Sequence, residues 1–92
     1  MKSHTSIPTL EAKRIAKRLL NHWKHKFKVT ETETIFSIFM PETTIVLTAE
    51  TDRLIVDLNT QLEDYTHIEQ VVLDHLNRMA QQEFSVAWQH QT

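Results

Sequence analysis

Apolar residues recur along this chain with two different periods. From Ala12 they return every three to four positions, at Ile15, Ala16, Leu19, Trp23 and Phe27, while Lys13, Arg14, Lys17, Asn21 and Lys24 fall on the opposite side. At about 100° per residue this spacing predicts an amphipathic helix with a core face and a basic solvent face. Thr9, after Pro8, is placed to cap its start, with Glu11 in the first turn. From Phe27 the period falls to two, giving strand segments at Phe27 to Thr30, Ile35 to Met40, Thr44 to Ala49 and Leu54 to Leu58. Glu31-Thr32-Glu33, Pro41-Glu42 and Glu50-Thr51-Asp52 punctuate them. A second helical stripe, Ile68, Val71, Val72, His75, Leu76 and Met79, lies opposite Gln70, Asp74, Asn77 and Gln81, behind a cap at Asp64 or Thr66. Phe84, Val86 and Trp88 alternate with Ser85, Ala87 and Gln89, which predicts a closing strand.

With a short strand in the polar residues 3–7, the order becomes β-α-β-β-β-β-α-β, or one strand fewer if residues 34–49 make one bent strand. This predicts a single α+β domain over residues 1–92: a two-layer sandwich, an antiparallel sheet of five to six strands with both helices on one face, a variant of the ferredoxin-like arrangement. A sheet wetted on its other face should alternate cleanly between apolar and polar. Ile35-Phe36-Ser37-Ile38-Phe39-Met40, Ile45-Val46-Leu47 and Leu54-Ile55-Val56 instead carry apolar residues in both classes. The helix-free face is therefore expected to be covered in part, by a second copy in a homodimer or by a ligand.

Two absences narrow the chemistry. Without cysteine there is no disulfide, thiolate nucleophile, cysteine-ligated zinc or iron–sulfur cluster. Without glycine there is no Walker loop or dinucleotide fingerprint, which need it where backbone amides approach phosphate. The turns must also do without it, by avoiding positive φ or by forcing a residue with a side chain into it. No apolar run approaches the roughly 20 residues of a membrane span, and Met1-Lys2-Ser3-His4 opens no secretory apolar stretch. A cytoplasmic location is expected.

The net charge of −2 hides an asymmetry: the chain carries +7 through Lys28 and −9 beyond it. Lys13, Arg14, Lys17 and Lys24 thus form a candidate surface for an anion or a partner. Nucleic acid is not the expected partner, because the remainder is acidic and no aromatic residue lies among the exposed basic ones. Among the six histidines, His22 and His25 stand i, i+3 near the end of the first helix, a spacing that can bring two rings to one ion. His75 lies within the apolar stripe of the second helix and requires a hydrogen-bond partner there. If the helices lie side by side, His75 approaches His22. His22, His25 and His75 are the candidate ligand or metal residues, with metal or haem as the group they would hold; no cofactor is otherwise expected, and no nucleophile with an oxyanion motif stands out.

The segments His22-Trp23-Lys24-His25-Lys26-Phe27, Asp74-His75-Leu76-Asn77-Arg78-Met79-Ala80 and Glu83-Phe84-Ser85-Val86-Ala87-Trp88 resemble the bacterial family catalogued as domain of unknown function 2218. Pro8-Thr9 and Leu47-Thr48-Ala49-Glu50 before Asp52 fit the same pattern. Relatives typically turn a hairpin with glycine and carry an aromatic at the position of Met79. The resemblance carries over no catalytic residue. It implies an accessory role in bacterial iron–siderophore handling, since relatives occur fused to or beside siderophore-interacting flavoproteins, which makes such a flavoprotein a candidate partner. The sequence is accordingly read as a non-enzymatic binding or accessory module. The alternative is a small enzyme or a metal- or haem-binding domain that uses His75 with His22 and His25.

Overall fold

The computed structural model describes all residues from Met1 to Thr92. The elements are β1 (Lys2–Pro8), α1 (Ala12–Trp23), β2 (Lys28–Glu31), β3 (Ile35–Met40), β4 (Thr43–Ala49), β5 (Arg53–Thr60), α2 (Tyr65–Ala80) and β6 (Gln89–Gln91). All six strands join one antiparallel sheet in the order β2-β3-β4-β5-β1-β6. Within it, β4, β5, β1 and β6 with the two helices make the ferredoxin-like arrangement, and β2 with β3 widens the sheet beyond β4. The shortest extent of the molecule is 20 Å, the depth of one sheet layer and one helix layer at roughly 10 Å each.

Burial alternates as the period-two pattern requires. Ile7 of β1, Phe36 and Ile38 of β3, Ile45 and Leu47 of β4, and Leu54, Val56 and Leu58 of β5 point inwards and are almost wholly buried. From the helical layer, Ile15, Ala16, Leu19, Leu20 and Trp23 of α1 meet them, with Val72 and Leu76 of α2. Each fully buried Leu or Ile contributes roughly 1.5–3 kcal/mol relative to exposure. α1 lies across β3, β4 and β5 and against α2. The polar end of the inner face, Ser3 and Thr5 on β1, falls under α2 and the chain that leads to β6.

Three predicted boundaries move. Glu11, not Thr9, holds the N-cap position of α1. The Thr9 hydroxyl instead accepts from the Glu11 N–H at 3.1 Å, while the Thr9 N–H donates to the Asp52 carbonyl, so Thr9 ties the helix start to the β4–β5 turn. α1 also ends at Trp23, whose carbonyl accepts from both Lys26 and Phe27. Phe27 packs against the core from beyond the helix, and an apolar residue at the right angular position looks the same on a helix as just past one. Finally, Phe84, Val86 and Trp88 do alternate half-buried with exposed neighbours, but their segment makes no strand ladder. Side chains hold it: Asn77 Oδ1 accepts from the Phe84 N–H at 3.0 Å, and the Thr5 hydroxyl donates to the Ala87 carbonyl at 3.1 Å. The ladder forms only at Gln89–Gln91, against Lys2–His4. Alternation reports burial and is silent on backbone partners.

The glycine-free turns force two residues into the left-handed region, Glu42 at φ 59° and Gln81 at φ 56°. Pro41 cannot supply the positive φ of a mirror-image hairpin turn, so the strain falls on Glu42. Gln81 closes α2 in the conformation usually given to glycine, with the Gln82 N–H bonded to the Asn77 carbonyl. At the β4–β5 turn φ stays negative and Arg53 Nε donates to Glu50 Oε1 at 2.6 Å; this bond, and then the charge of the carboxylate, hold the guanidinium pKa above its ordinary value.

A left-handed non-glycine residue costs about 1–2 kcal/mol, of which glycine's extra chain entropy gives back about half. Glu42→Gly and Gln81→Gly are each expected to stabilise the fold by up to about 1 kcal/mol in denaturant titration. Glu50→Gly, at a turn position with negative φ, should lower stability in the same measurement.

Candidate functional site

The outward side chains of β1, β5, β4 and β6 line a groove of about 720 Å³ on the helix-free face. Strand alternation puts Lys2 and His4 on its floor from β1, Asp57 and Asn59 from β5, Thr44 from β4 and Gln91 from β6. The antiparallel register sets His4 directly opposite Asp57. The His4 Nδ1–H donates to Asp57 Oδ1 at 2.6 Å, with the two side chains 49% and 47% exposed. At that exposure an ion pair is worth at most about 1 kcal/mol. Its effect is orientation: the ring is held by Nδ1, and Nε2 takes no partner within the protein. The same face carries Ile35 and Phe39 on β3, 42% and 40% exposed, with Val46 of the groove lining and Ile55 of β5 half-buried. The doubly apolar strand pattern thus corresponds to a patch beside a polar groove.

A second constellation lies between the helices. His22, in the last turn of α1, is exposed, Trp23 beside it is buried, and His75 of α2 is half-buried. The His75 ring stands 5.3 Å from that of His22 and 4.7 Å from that of Trp23, centroid to centroid. The His75 Nδ1–H donates to the Val71 carbonyl at 2.7 Å, which satisfies the ring from its own helix. His25 does not join them. It falls in the exposed turn after Trp23, so the i, i+3 pairing with His22 that a longer helix would give does not form. No three His, Cys, Asp or Glu side chains converge as a metal cluster anywhere in the chain.

The basic residues of α1 are partly spoken for. Arg14 pairs with Glu11, and Lys17 Nζ donates to both oxygens of Glu31, at 2.6 and 2.7 Å. Lys13 and Lys24 make no such pair and remain the free charges of that surface.

A third group was not legible as a site. Glu69, its side chain 8% exposed, accepts from the Ser3 hydroxyl at 2.6 Å and from His90 Nε2 at 2.5 Å, and the His90 ring rests against Tyr65 at 5.1 Å. Both partners donate to the same carboxylate oxygen and the Ser3 hydroxyl does not bond to the His90 ring, unlike a serine–histidine pair; this is a structural tie joining α2, β1 and β6. Tyr65, Glu69, Val72 and Leu76 share the i, i+3, i+4 spacing of one helix stripe, and Glu69 is its inward polar member. That spacing, with Ser3 and Thr5 at inward positions of β1, was the available signal.

The family described as "Uncharacterized protein conserved in bacteria (DUF2218)" matches residues 4–89. The NMR structure of PA4090 from Pseudomonas aeruginosa is 38% identical in sequence, covers 96% of this chain and 94% of its own, and aligns with a TM-score of 0.80. No functionally curated protein matches the chain.

Removing His90 leaves the buried Glu69 carboxylate with the Ser3 hydroxyl alone. His90→Ala is expected to cost roughly 1–3 kcal/mol by thermal or chemical denaturation, and to speed amide exchange along β6. Adding Glu69→Met should recover much of the loss, because it removes the unpaired buried charge.

Proposed function

The chain belongs to this DUF2218 family of bacterial proteins, and we propose that it serves as a non-enzymatic binding or accessory module with the helix-free sheet face as its ligand surface. The observation that carries this reading is the groove around the His4–Asp57 pair. Its volume falls within the roughly 300–1,000 Å³ of small-molecule sites. Lys2, Asn59 and Gln91 bring donors beside a single carboxylate, and His4 adds its free Nε2, a lining that suits an oxygen-rich or anionic ligand. Neither His4 nor His75 is hydrogen-bonded to a hydroxyl, which favours binding over acyl transfer. His75 as a general acid or base is less well supported, since one of its two nitrogens is committed to Val71.

The family resemblance supports a role in iron–siderophore handling beside a siderophore-interacting flavoprotein. Catecholates and hydroxamates have the anionic oxygen chemistry that these donors match. The exposed Ile35 and Phe39 favour a second element of the reading, a homodimer formed at the apolar end of the face while the polar groove stays open.

Titrating 2,3-dihydroxybenzoate and acetohydroxamate into the ¹⁵N-labelled protein should shift amides of His4, Thr44, Asp57 and Asn59, with weaker binding in His4→Ala. Absence of shifts into the millimolar range with both probes would sink the ligand reading. Sedimentation at tens of micromolar should give a dimer that Phe39→Asp converts to monomer; a monomeric parent protein would remove the dimer while leaving the groove untouched.

A further inference from the structure

We propose that His22 and His75 form a two-imidazole site for a divalent transition-metal ion in the seam between the helices, with Trp23 as its wall. The last turn of α1 and the middle of α2 are already packed side by side. Their two imidazoles have centroids 5.3 Å apart and planes inclined at 50°. With metal–nitrogen bonds of roughly 2.0–2.1 Å and a tetrahedral angle, two imidazoles on one ion have centroids about 5 Å apart. The observed centroid separation thus matches that of two imidazoles sharing one ion.

The hydrogen bond of His75 sets its tautomer. A carbonyl oxygen only accepts, so the 2.7 Å contact with Val71 puts the proton on Nδ1 and leaves the lone pair on Nε2. Metal-binding histidines commonly use the same device, an N–H given to a backbone carbonyl that orients the ring and raises the basicity of the other nitrogen. His22 has no hydrogen-bond partner within the protein and is open to solvent, so the ion has a path in. Because no third His, Cys, Asp or Glu converges there, the other coordination positions fall to water or to the donor atoms of a small ligand. That describes an exchangeable site, not a structural one. Paired imidazoles favour Cu²⁺ most strongly among the divalent ions of the first transition row. The basic surface of α1 opposes any cation, which points to micromolar rather than nanomolar affinity.

Trp23 supplies a local reporter, its ring lying 4.7 Å from that of His75. In the full chain carrying Trp88→Phe, so that Trp23 is the sole tryptophan, Cu²⁺ should quench the tryptophan emission and saturate at one equivalent. His22→Ala and His75→Asn should each weaken that quenching at least about tenfold, while His25→Ala leaves it unchanged. Paramagnetic broadening of amide signals should centre on the end of α1 and on Val71 to Met79. Quenching indifferent to His22→Ala, or broadening centred on another histidine, overturns the assignment. Should His75→Asn fail to fold, the exposed His22→Ala decides alone.

Discussion

Alternate side chains of β1, β3, β4 and β5 pass beneath two helices with almost no surface left accessible, and this single-sided closure is the constraint on which the rest of the structure depends. A chain of 92 residues buries only about three-fifths of its unfolded surface. With no disulfide to assist, the inward stripe must be nearly continuous. It is continuous from Val29 and Phe36 through Ile45 and Leu47 to Val56, where α1 lies across it. Because the helices take all of that face, the outer face keeps whatever polarity its side chains have. The His4–Asp57 groove lies on that open face.

At one end of the inner face the same closure is achieved with polar groups. Ser3, Thr5, Thr43, Thr60 and Glu69 are all buried. Burying them is tolerable only because each finds a partner: Ser3 with Glu69, Thr5 with Ala87, Thr43 with Thr60. No buried side-chain nitrogen or oxygen is left unpaired. Such bonds add little net stability but penalise misplacement heavily. Those of Ser3 and Thr5 fix where α2 and the chain after it cross β1, a task the short β6 ladder could not perform alone, while Thr43 and Thr60 tie β4 to β5.

How much of this was legible follows from what each pattern encodes. One-sided burial writes its period into the sequence, so both helices, the four strands between them and the α+β class could be read from apolar spacing. Element ends could not be read, since Phe27 continues the apolar pattern of α1 after the backbone has left the helix. The His22–His75 approach was anticipated as a consequence of adjacent helices, while His25 lies exposed in the turn after Trp23. The His4–Asp57 pair spans 53 positions of sequence and depends on strand register, which spacing within one strand does not contain. Glu69 escaped because a glutamate in a helix reads as surface until its stripe is counted from Tyr65.

Strand β1 sits in the interior of the sheet although it comes first along the chain. Its two neighbours are distant: Lys2 faces Asn59 on one side and Gln91 on the other. Local hairpins from β2 to β5 can close early and cheaply, but β1 gains partners only when segments far along the chain return to it. Such a topology raises contact order and slows folding relative to a simple meander. Until β6 arrives, one backbone edge of β1 stays open, with Lys2 and His4 among its outward residues. For this protein the interval before the last strand docks is the one in which edge-to-edge association competes with folding.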